Sequence, residues 1–272
     1  MVIAELINKS NKILQEAGIK GFNLDTFILL SEFLGVDKMY LLLNKNVEVT
    51  NYSGFFEMVA RRAKFEPIAY ITCKREFMSL EFDVTPDVLI PRPETELLVE
   101  KIIEFTGNKQ YSMLEVGTGS GCICISCAYY CKNLHIDSID ISQQALDVAR
   151  QNARKHKIES ISFIQKDILK SFPSQQYDIV VSNPPYIKSY DIAKLMCDVK
   201  NFEPISALDG GEDGLLFYRI ITKQANVKRM LLFEVGHDQS DAVCSILLEN
   251  AYNTIETIKD LSGINRVVYG AR

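Results

Sequence analysis

Four short stretches of this chain carry residue types that can do chemistry. The first, Glu115-Val116-Gly117-Thr118-Gly119-Ser120-Gly121, follows an apolar run and opens a predicted helix. Closely spaced glycines take up positive φ and let a ligand approach the backbone where a Cβ would clash. A dinucleotide fingerprint, Gly-x-Gly-x-x-Gly, needs its third glycine at position 122, which here is Cys122. The observed Gly-x-Gly-x-Gly weakens a pyrophosphate ligand and favours a nucleoside without phosphates. The second stretch, HIDSIDIS, ends a predicted strand at Asp140, where a carboxylate can accept hydrogen bonds from both ribose hydroxyls. The third is Asp167-Ile168, a carboxylate for an adenine amino group beside an apolar side chain for its ring. The fourth stops the apolar run Ile179–Val181 at Asn183-Pro184-Pro185-Tyr186. Two successive prolines lock φ and remove two N–H donors, more stiffness than a chain reversal needs.

These stretches need strand ends to present them. From residue 111 onward, strand-like runs (SMLEVG, HIDSIDIS, ISFIQKD, YDIVVSNPPY, RMLLFEVG) alternate with helical ones near 121–131, 143–155, 212–226 and 238–250. Such alternation predicts a parallel α/β sheet. The final runs, TIETIKD and INRVVYGAR, lie close together with no helix between them, so one antiparallel pairing is expected there. Residues 1–66 read as a small helical domain, with a stripe of Leu6, Ile13 and Leu14 and a second helix capped at Asn23 and stopped at Gly35. Tyr70, Thr72, Phe77, Leu80, Phe82 and Val84 alternate as two short strands, making 67–92 a hairpin and linker ahead of a Rossmann-like domain over 93–272. Pro93 falls in the first turn of the next helix.

Composition bounds the reading. The 272 residues are 47% hydrophobic and 24% charged, the balance of a globular protein with a real core. No apolar stretch approaches the ~20 residues that span a bilayer, and the start, MVIAELINKSNKILQEAG, reads as an amphipathic helix. A cytoplasmic location is the expectation. The net charge of −5, with basic runs only at Lys9–Lys12, Arg61–Lys64 and Arg150–Lys157, argues against stable nucleic-acid binding. Cys124, Cys127 and Cys131 share one helical face with no histidine among them, so they are read, with Cys122, as small packing residues; no metal is expected. His237, in VGHDQ, reads as a helix-start residue.

The glycine loop, an acid and Asp-Ile at successive strand ends together resemble the class I S-adenosylmethionine-dependent methyltransferases. In that superfamily the end of the fourth strand faces the methyl group, and Asn-Pro-Pro-Tyr is similar to the signature of enzymes acting on planar nitrogens: an adenine or cytosine amine, or a side-chain amide. Such a nitrogen is a poor nucleophile because its lone pair is delocalised. The Asn183 side-chain oxygen and the Pro184 carbonyl can each accept one N–H and fix it, while Pro185 stiffens the backbone and Tyr186 offers a ring face. The nitrogen loses its proton only after attack, so no strong general base is required.

Other stretches point to one substrate. Glu76-Phe77-Met78, Leu80-Glu81-Phe82, the run Thr85 to Glu96 (TPDVLIPRPETE), Leu208 to Leu215 (LDGGEDGL) with Tyr218, and Asn265-Arg266-Val267-Val268 together resemble the release-factor glutamine methyltransferases, the HemK family. The resemblance runs from the helical N-terminal region to the last strand. It implies S-adenosylmethionine as cofactor and class 1 peptide chain release factors as partners, methylated on the glutamine of their Gly-Gly-Gln motif to N5-methylglutamine. It implies a substrate-recognition role for residues 1–66 and a monomeric enzyme. Cofactor-binding residues would be Glu115, Gly117, Thr118, Gly119, Ser120, Gly121, Asp140, Ile141, Asp167, Ile168 and Asn183. Asn183, Pro184, Pro185 and Tyr186 would hold the glutamine, and Arg92 would contact substrate or cofactor or stiffen its loop. Glu115 stands where the family more often has Asp, and Ile168 where it often has an aromatic residue. An N6-adenine methyltransferase of DNA or RNA is the alternative reading; Gly210, Gly211 and Gly214 are expected to shape a turn.

Overall fold

The computed structural model describes residues 1–271 and divides into two compact units. The first comprises Met1–Lys74 together with Met196–Phe202, and the second Arg75–Leu195 and residues 203–271. The helical unit therefore runs past residue 66, and a segment distant in sequence joins it, which linear boundaries at 66 and 92 do not anticipate.

In the first unit α1 (Ile3–Glu16) buries Ile3, Leu6, Ser10 and Leu14, a repeat of three and four that keeps one face inward. Ile13 is 38% exposed, because each residue turns the helix by about 100° and only Leu14 faces the core. Helix α2 (Phe22–Leu34) begins one residue ahead of Asn23 and stops at Gly35 in the left-handed region, φ 66°. The Asn23 side chain accepts from Asn11 instead of capping. Helix α3 (Lys38–Leu43) is capped by Asp37, whose carboxylate accepts the Tyr40 N–H at 2.7 Å. Helices α4 (Ser53–Ala63) and α5 (Ile68–Thr72) complete the unit. The expected strand at 68–72 is thus a helical turn. Pro67 stands at its start, and Ala69, Tyr70 and Ile71 are buried in succession, which a strand with one wet face cannot do.

The chain passes from the first unit into the second along a hairpin, β1 (Lys74–Phe77) and β2 (Leu80–Asp83), reversed by Met78 and Ser79 at φ 50° and 57°, as a type I′ turn demands. Phe77, Leu80, Phe82 and Val84 are buried as their alternation predicts. After a 3₁₀ turn at Pro93–Thr95 come α6 (Glu96–Thr106), β3 (Tyr111–Val116), α7 (Cys122–Tyr130), β4 (Leu134–Asp140), α8 (Gln143–Lys155), β5 (Ile161–Gln165) and β6 (Tyr177–Ser182). The chain continues through α9 (Cys197–Phe202), which belongs to the first unit, and then through α10 (Leu216–Gln224), β7 (Val227–Glu234), α11 (Ser240–Glu249), β8 (Thr254–Lys259) and β9 (Asn265–Ala271). Arg272, the last residue of the expected final run, lies outside the described residues. Helix α10 starts later than 212 because Gly211 and Gly214 stand at φ 87° and 75°, which a helix excludes.

Seven strands form one sheet in the order β5-β4-β3-β6-β7-β9-β8; β9 runs antiparallel to both β7 and β8, and the other pairings are parallel. The central strands β3 and β6 send apolar side chains to both faces because both faces are covered: Met113, Ile179 and Val181 pack into one core, Leu114, Val116 and Val180 into the other. Cys124, Cys127 and Cys131 are buried in the first of these cores. Val116 pairs with Ile139 on one side and Ser182 on the other. The carboxyl ends of β3, β4 and β6 therefore lie side by side at the point where the chain order reverses, the position at which open α/β sheets bind ligands.

Candidate active site

A cavity of about 410 Å³ opens at these three strand ends. Its floor is the loop between β3 and α7. Gly117, Gly119 and Gly121 stand at φ 85°, 54° and 80°, and the Gly117 and Thr118 N–H groups donate to the Ile139 carbonyl at 2.8 and 3.2 Å. Gly121 is close-packed, since a Cβ there would lie 2.8 Å from Ile125, whereas a Cβ on Gly119 would meet nothing within 4 Å. Gly121 thus serves the fit of α7, and Gly119 keeps the space beside the loop clear.

Asp140 lines one side. Its Oδ2 accepts the Gly119 N–H and its Oδ1 the Ser142 N–H, both at 2.9 Å, so the carboxylate ties loop and strand end together. Burial raises its pKa despite these donors. Ser142, not Asp140, caps α8, its hydroxyl accepting the Ala145 N–H at 3.1 Å. Ile141, Asp167 and Ile168 also line the cavity, giving apolar side chains flanked by carboxylates. Asp167 accepts the Leu169 N–H and pairs with Lys170 at 3.2 Å, and both lower its pKa.

Glu115 is not among the cavity-lining residues. It is fully buried, and Ser138 donates to its Oε2 at 2.5 Å; Ser138 Oγ in turn lies 2.7 Å from Thr118 Oγ1. Since the Ser138 hydrogen is spent on Glu115, the Thr118 hydroxyl must be the donor in the second bond. Glu115, expected to hold the cofactor, is thus linked to the loop through two hydroxyls and does not itself line the cavity. Burial pushes its pKa up to about 7. Glu115 stands one residue before the end of β3 and its side chain points into the covered interior of the sheet, whereas the last residues of β3, β4 and β6 (Val116, Asp140 and Ser182) reach the cavity.

The facing wall is Asn183, Pro184 and Pro185, beyond β6. Ser182 donates to the Val116 carbonyl at 2.7 Å, holding the ends of β3 and β6 in step. The Asn183 Nδ2 lies 3.3 Å from Thr95 Oγ1, and Thr95 donates to Glu234 Oε2 at 2.5 Å. Glu234, at the end of β7, has its pKa raised to about 7 by burial. The motif's backbone is gripped from behind by the glycine-rich segment. A Cβ on Gly210 would stand 2.8 Å from the Pro185 carbonyl oxygen, and one on Gly214 2.4 Å from that of Tyr186. Gly210 also donates to the Ile187 carbonyl, and Ile187 to that of Leu208. Gln239 donates to the Tyr186 and Gly214 carbonyls at 3.0 and 3.2 Å and accepts the Gly236 N–H. The glycines do more than turn the chain: they admit the motif's backbone.

Tyr186 does not line the cavity; it is half-buried against the second core, 3.4 Å from where a Gly236 Cβ would be, and burial raises its pKa to about 12. Arg92 lines the cavity, but its guanidinium is bound to both oxygens of Glu203 at 2.6 and 2.8 Å, tethering the segment whose Pro204, Ser206 and Ala207 wall the cavity. His237 lies exposed in the turn ahead of α11. Thr95, Glu234 and Gln239 escaped the sequence reading. Thr95 stood inside the quoted IPRPETE, and its partner lies across the fold.

Comparison with known proteins decides the family. Residues 93–199 match the Methyltransferase small domain family and residues 5–72 the PrmC N-terminal domain family. A release factor glutamine methyltransferase from Clostridium acetobutylicum is 40% identical over 285 aligned positions, covering 100% of this chain and 99% of that protein. The chain belongs to the release factor glutamine methyltransferases. A second such relative, from Clostridium botulinum, is 36% identical over 98% of each chain. A methyltransferase structure from Pyrococcus furiosus shares the fold, with a TM-score of 0.55 at 14% identity over 78% of this chain and 98% of that one. S-adenosylmethionine is the family's methyl donor, and the cavity suits it in kind. Its open space beside Gly119, the carboxylates Asp140 and Asp167 and its apolar walls fit a nucleoside carrying an amino-acid arm; of its two cationic lining residues, Arg92 and Lys166, the first is bound to Glu203.

Proposed function

We propose that this chain methylates the side-chain amide nitrogen (N5) of the glutamine in the Gly-Gly-Gln motif of class 1 peptide chain release factors. One observation carries the reading: Asn183 and Pro184 line the same cavity as the glycine loop, so that acceptors for a planar NH₂ group and the methyl donor's place share one chamber. The glycine loop and Asp140 would hold S-adenosylmethionine, Asp140 at its ribose, with Ile141, Ile168 and Asp167 about its adenine. When bound, it supplies an electrophilic methyl group. Asn183 Oδ1 and the Pro184 carbonyl each accept one amide N–H. This directs the nitrogen lone pair and favours its change toward tetrahedral geometry. Catalysis would rest on positioning within the cavity. Held by these two acceptors, the nitrogen would take the methyl group as its bond to the donor's sulfur is given up, and the methylated amide would then lose one proton to solvent. The helical unit would recognise the release factor. The enzyme would act as a monomer in the cytoplasm without stable nucleic-acid binding, as its negative net charge favours.

The test is incubation with isotopically labelled S-adenosylmethionine and a class 1 release factor, followed by peptide mass spectrometry. One methyl group on the Gly-Gly-Gln peptide is expected. Label on RNA or DNA with none on that peptide would shift the reading to a nucleic-acid amine.

A further inference from the structure

An asparagine side chain presents either its C=O or its NH₂ to a given neighbour, depending on a half-turn about its last torsion. Only the oxygen can accept a substrate N–H, so turnover by the proposed route requires that half-turn to be set before substrate arrives. Thr95 and Glu234 are placed to set it. Thr95 is 2% exposed and Glu234 3%, so water does not compete for their hydrogen bonds. Thr95 Oγ1 lies between Glu234 Oε2 and the Asn183 amide, 2.5 Å from the first and 3.3 Å from the second.

The order of donors follows from counting hydrogens. An ionised carboxylate only accepts, and a hydroxyl carries a single hydrogen. With Glu234 ionised, the Thr95 hydrogen is committed to it, leaving Thr95 Oγ1 with lone pairs alone toward Asn183. The asparagine must face it with NH₂, and its Oδ1 is left to accept from what binds in the cavity that Asn183 lines. A flipped amide would set oxygen against oxygen at Thr95 and NH₂ against NH₂ at the substrate, losing two hydrogen bonds at once. The geometry points to Thr95 and Glu234 as positioning residues that hold the Asn183 amide with its oxygen toward the substrate nitrogen. This inference rests on the reading that Asn183 accepts an N–H from a planar nitrogen.

Neither residue touches the reacting atoms in this account, so the effect should fall on turnover and spare cofactor binding. Four forms of the full chain, wild type, Thr95→Ser, Thr95→Val and Glu234→Gln, are compared above neutral pH. The measurements are kcat and KM for a class 1 release factor, the S-adenosylmethionine Kd by calorimetry, and the melting temperature. Valine matches threonine in shape and removes the hydroxyl; kcat should fall about ten- to a hundredfold while the cofactor Kd moves less than about threefold. Serine restores the hydroxyl and should bring kcat back to within about threefold of wild type. Glutamine at 234 can donate to Thr95 and so permits the flipped amide; a loss of about three- to tenfold is expected. Turnover of Thr95→Val close to wild type, or of Thr95→Ser as low as Thr95→Val, overturns the inference, as does a kcat loss matched by an equal loss of cofactor affinity. Should Thr95→Val not fold, unchanged turnover in Glu234→Gln overturns it alone. A wild-type chain that methylates a nucleic-acid amine and no release factor defeats the substrate reading instead, and the same four forms are then compared on that amine.

Discussion

The loop after β3 and the motif after β6 begin one strand apart and line the same cavity, yet they are made of opposite materials. The first is glycine at three alternate positions, all at positive φ; the second is two prolines whose φ is fixed and whose N–H groups are gone. Both rest on a buried glutamate reached through hydroxyls: Glu115 by way of Ser138 to Thr118, and Glu234 by way of Thr95 to Asn183. The contrast follows from what each side must recognise. A bulky ligand needs clearance from the backbone, which only glycine provides. A flat NH₂ group needs acceptors aimed at fixed points, which a stiff backbone without competing donors provides. The buried carboxylates do a shared job, orienting groups whose hydrogens would otherwise be free to rotate.

Replacing Asn183 by alanine probes the contrast most severely. Turnover on the release factor should drop about a hundredfold or more while the S-adenosylmethionine Kd, measured by calorimetry, changes little. Equal losses in both would mean that the two sides are not separable. The converse substitution, Asp140→Asn, should weaken S-adenosylmethionine binding about ten- to a hundredfold, with kcat at saturating cofactor much less affected. Gly214→Ala bears on the stiffness of the motif. It places a Cβ against the Tyr186 carbonyl at φ 75° and should cost about 3 kcal/mol in denaturant unfolding, with turnover lowered in the folded fraction.

The smallest effect concerns the two glutamates. Each has its folded pKa raised from 4.5 to about 7, so the stability each contributes is fully present below pH 4.5 and is lost as pH rises through 7. Glu115→Gln removes one of the two titrations, on the order of 2 kcal/mol. Unfolding free energy measured between pH 5 and 8 should decline with about half the wild-type slope in the variant. An unchanged slope would mean that Glu115 does not titrate in this range.

Much of the site was legible because its parts are local. The glycine loop, Asp140, Asp167-Ile168 and Asn183-Pro184-Pro185 each lie just past a strand that its own apolar run announces, and each lines the cavity. What escaped was long-range. Thr95 and Glu234 are 139 residues apart and no spacing links them. Glu115 and Tyr186 adjoin residues that line the cavity but do not line it themselves: one points off an inner strand into the interior, the other packs against the second core. The turn at 68–72 was misjudged as strand because five residues are too few for either period to declare itself, and Pro67 settles the matter by starting a helical turn.

The sequence by itself determined the α/β alternation, the family, and the residue types at three strand ends, since these depend on local pattern and on chemistry that only a few side chains can perform. The tertiary structure decided which groups meet: that Gly210 and Gly214 admit the backbone of Pro185 and Tyr186, that Arg92 is spent on Glu203, and that Thr95 stands between Glu234 and Asn183. Hydrogen-bond polarity is a property of such meetings. One buried hydroxyl with a single hydrogen orients an amide only when the fold brings three distant residues together, and no spacing along the chain records that.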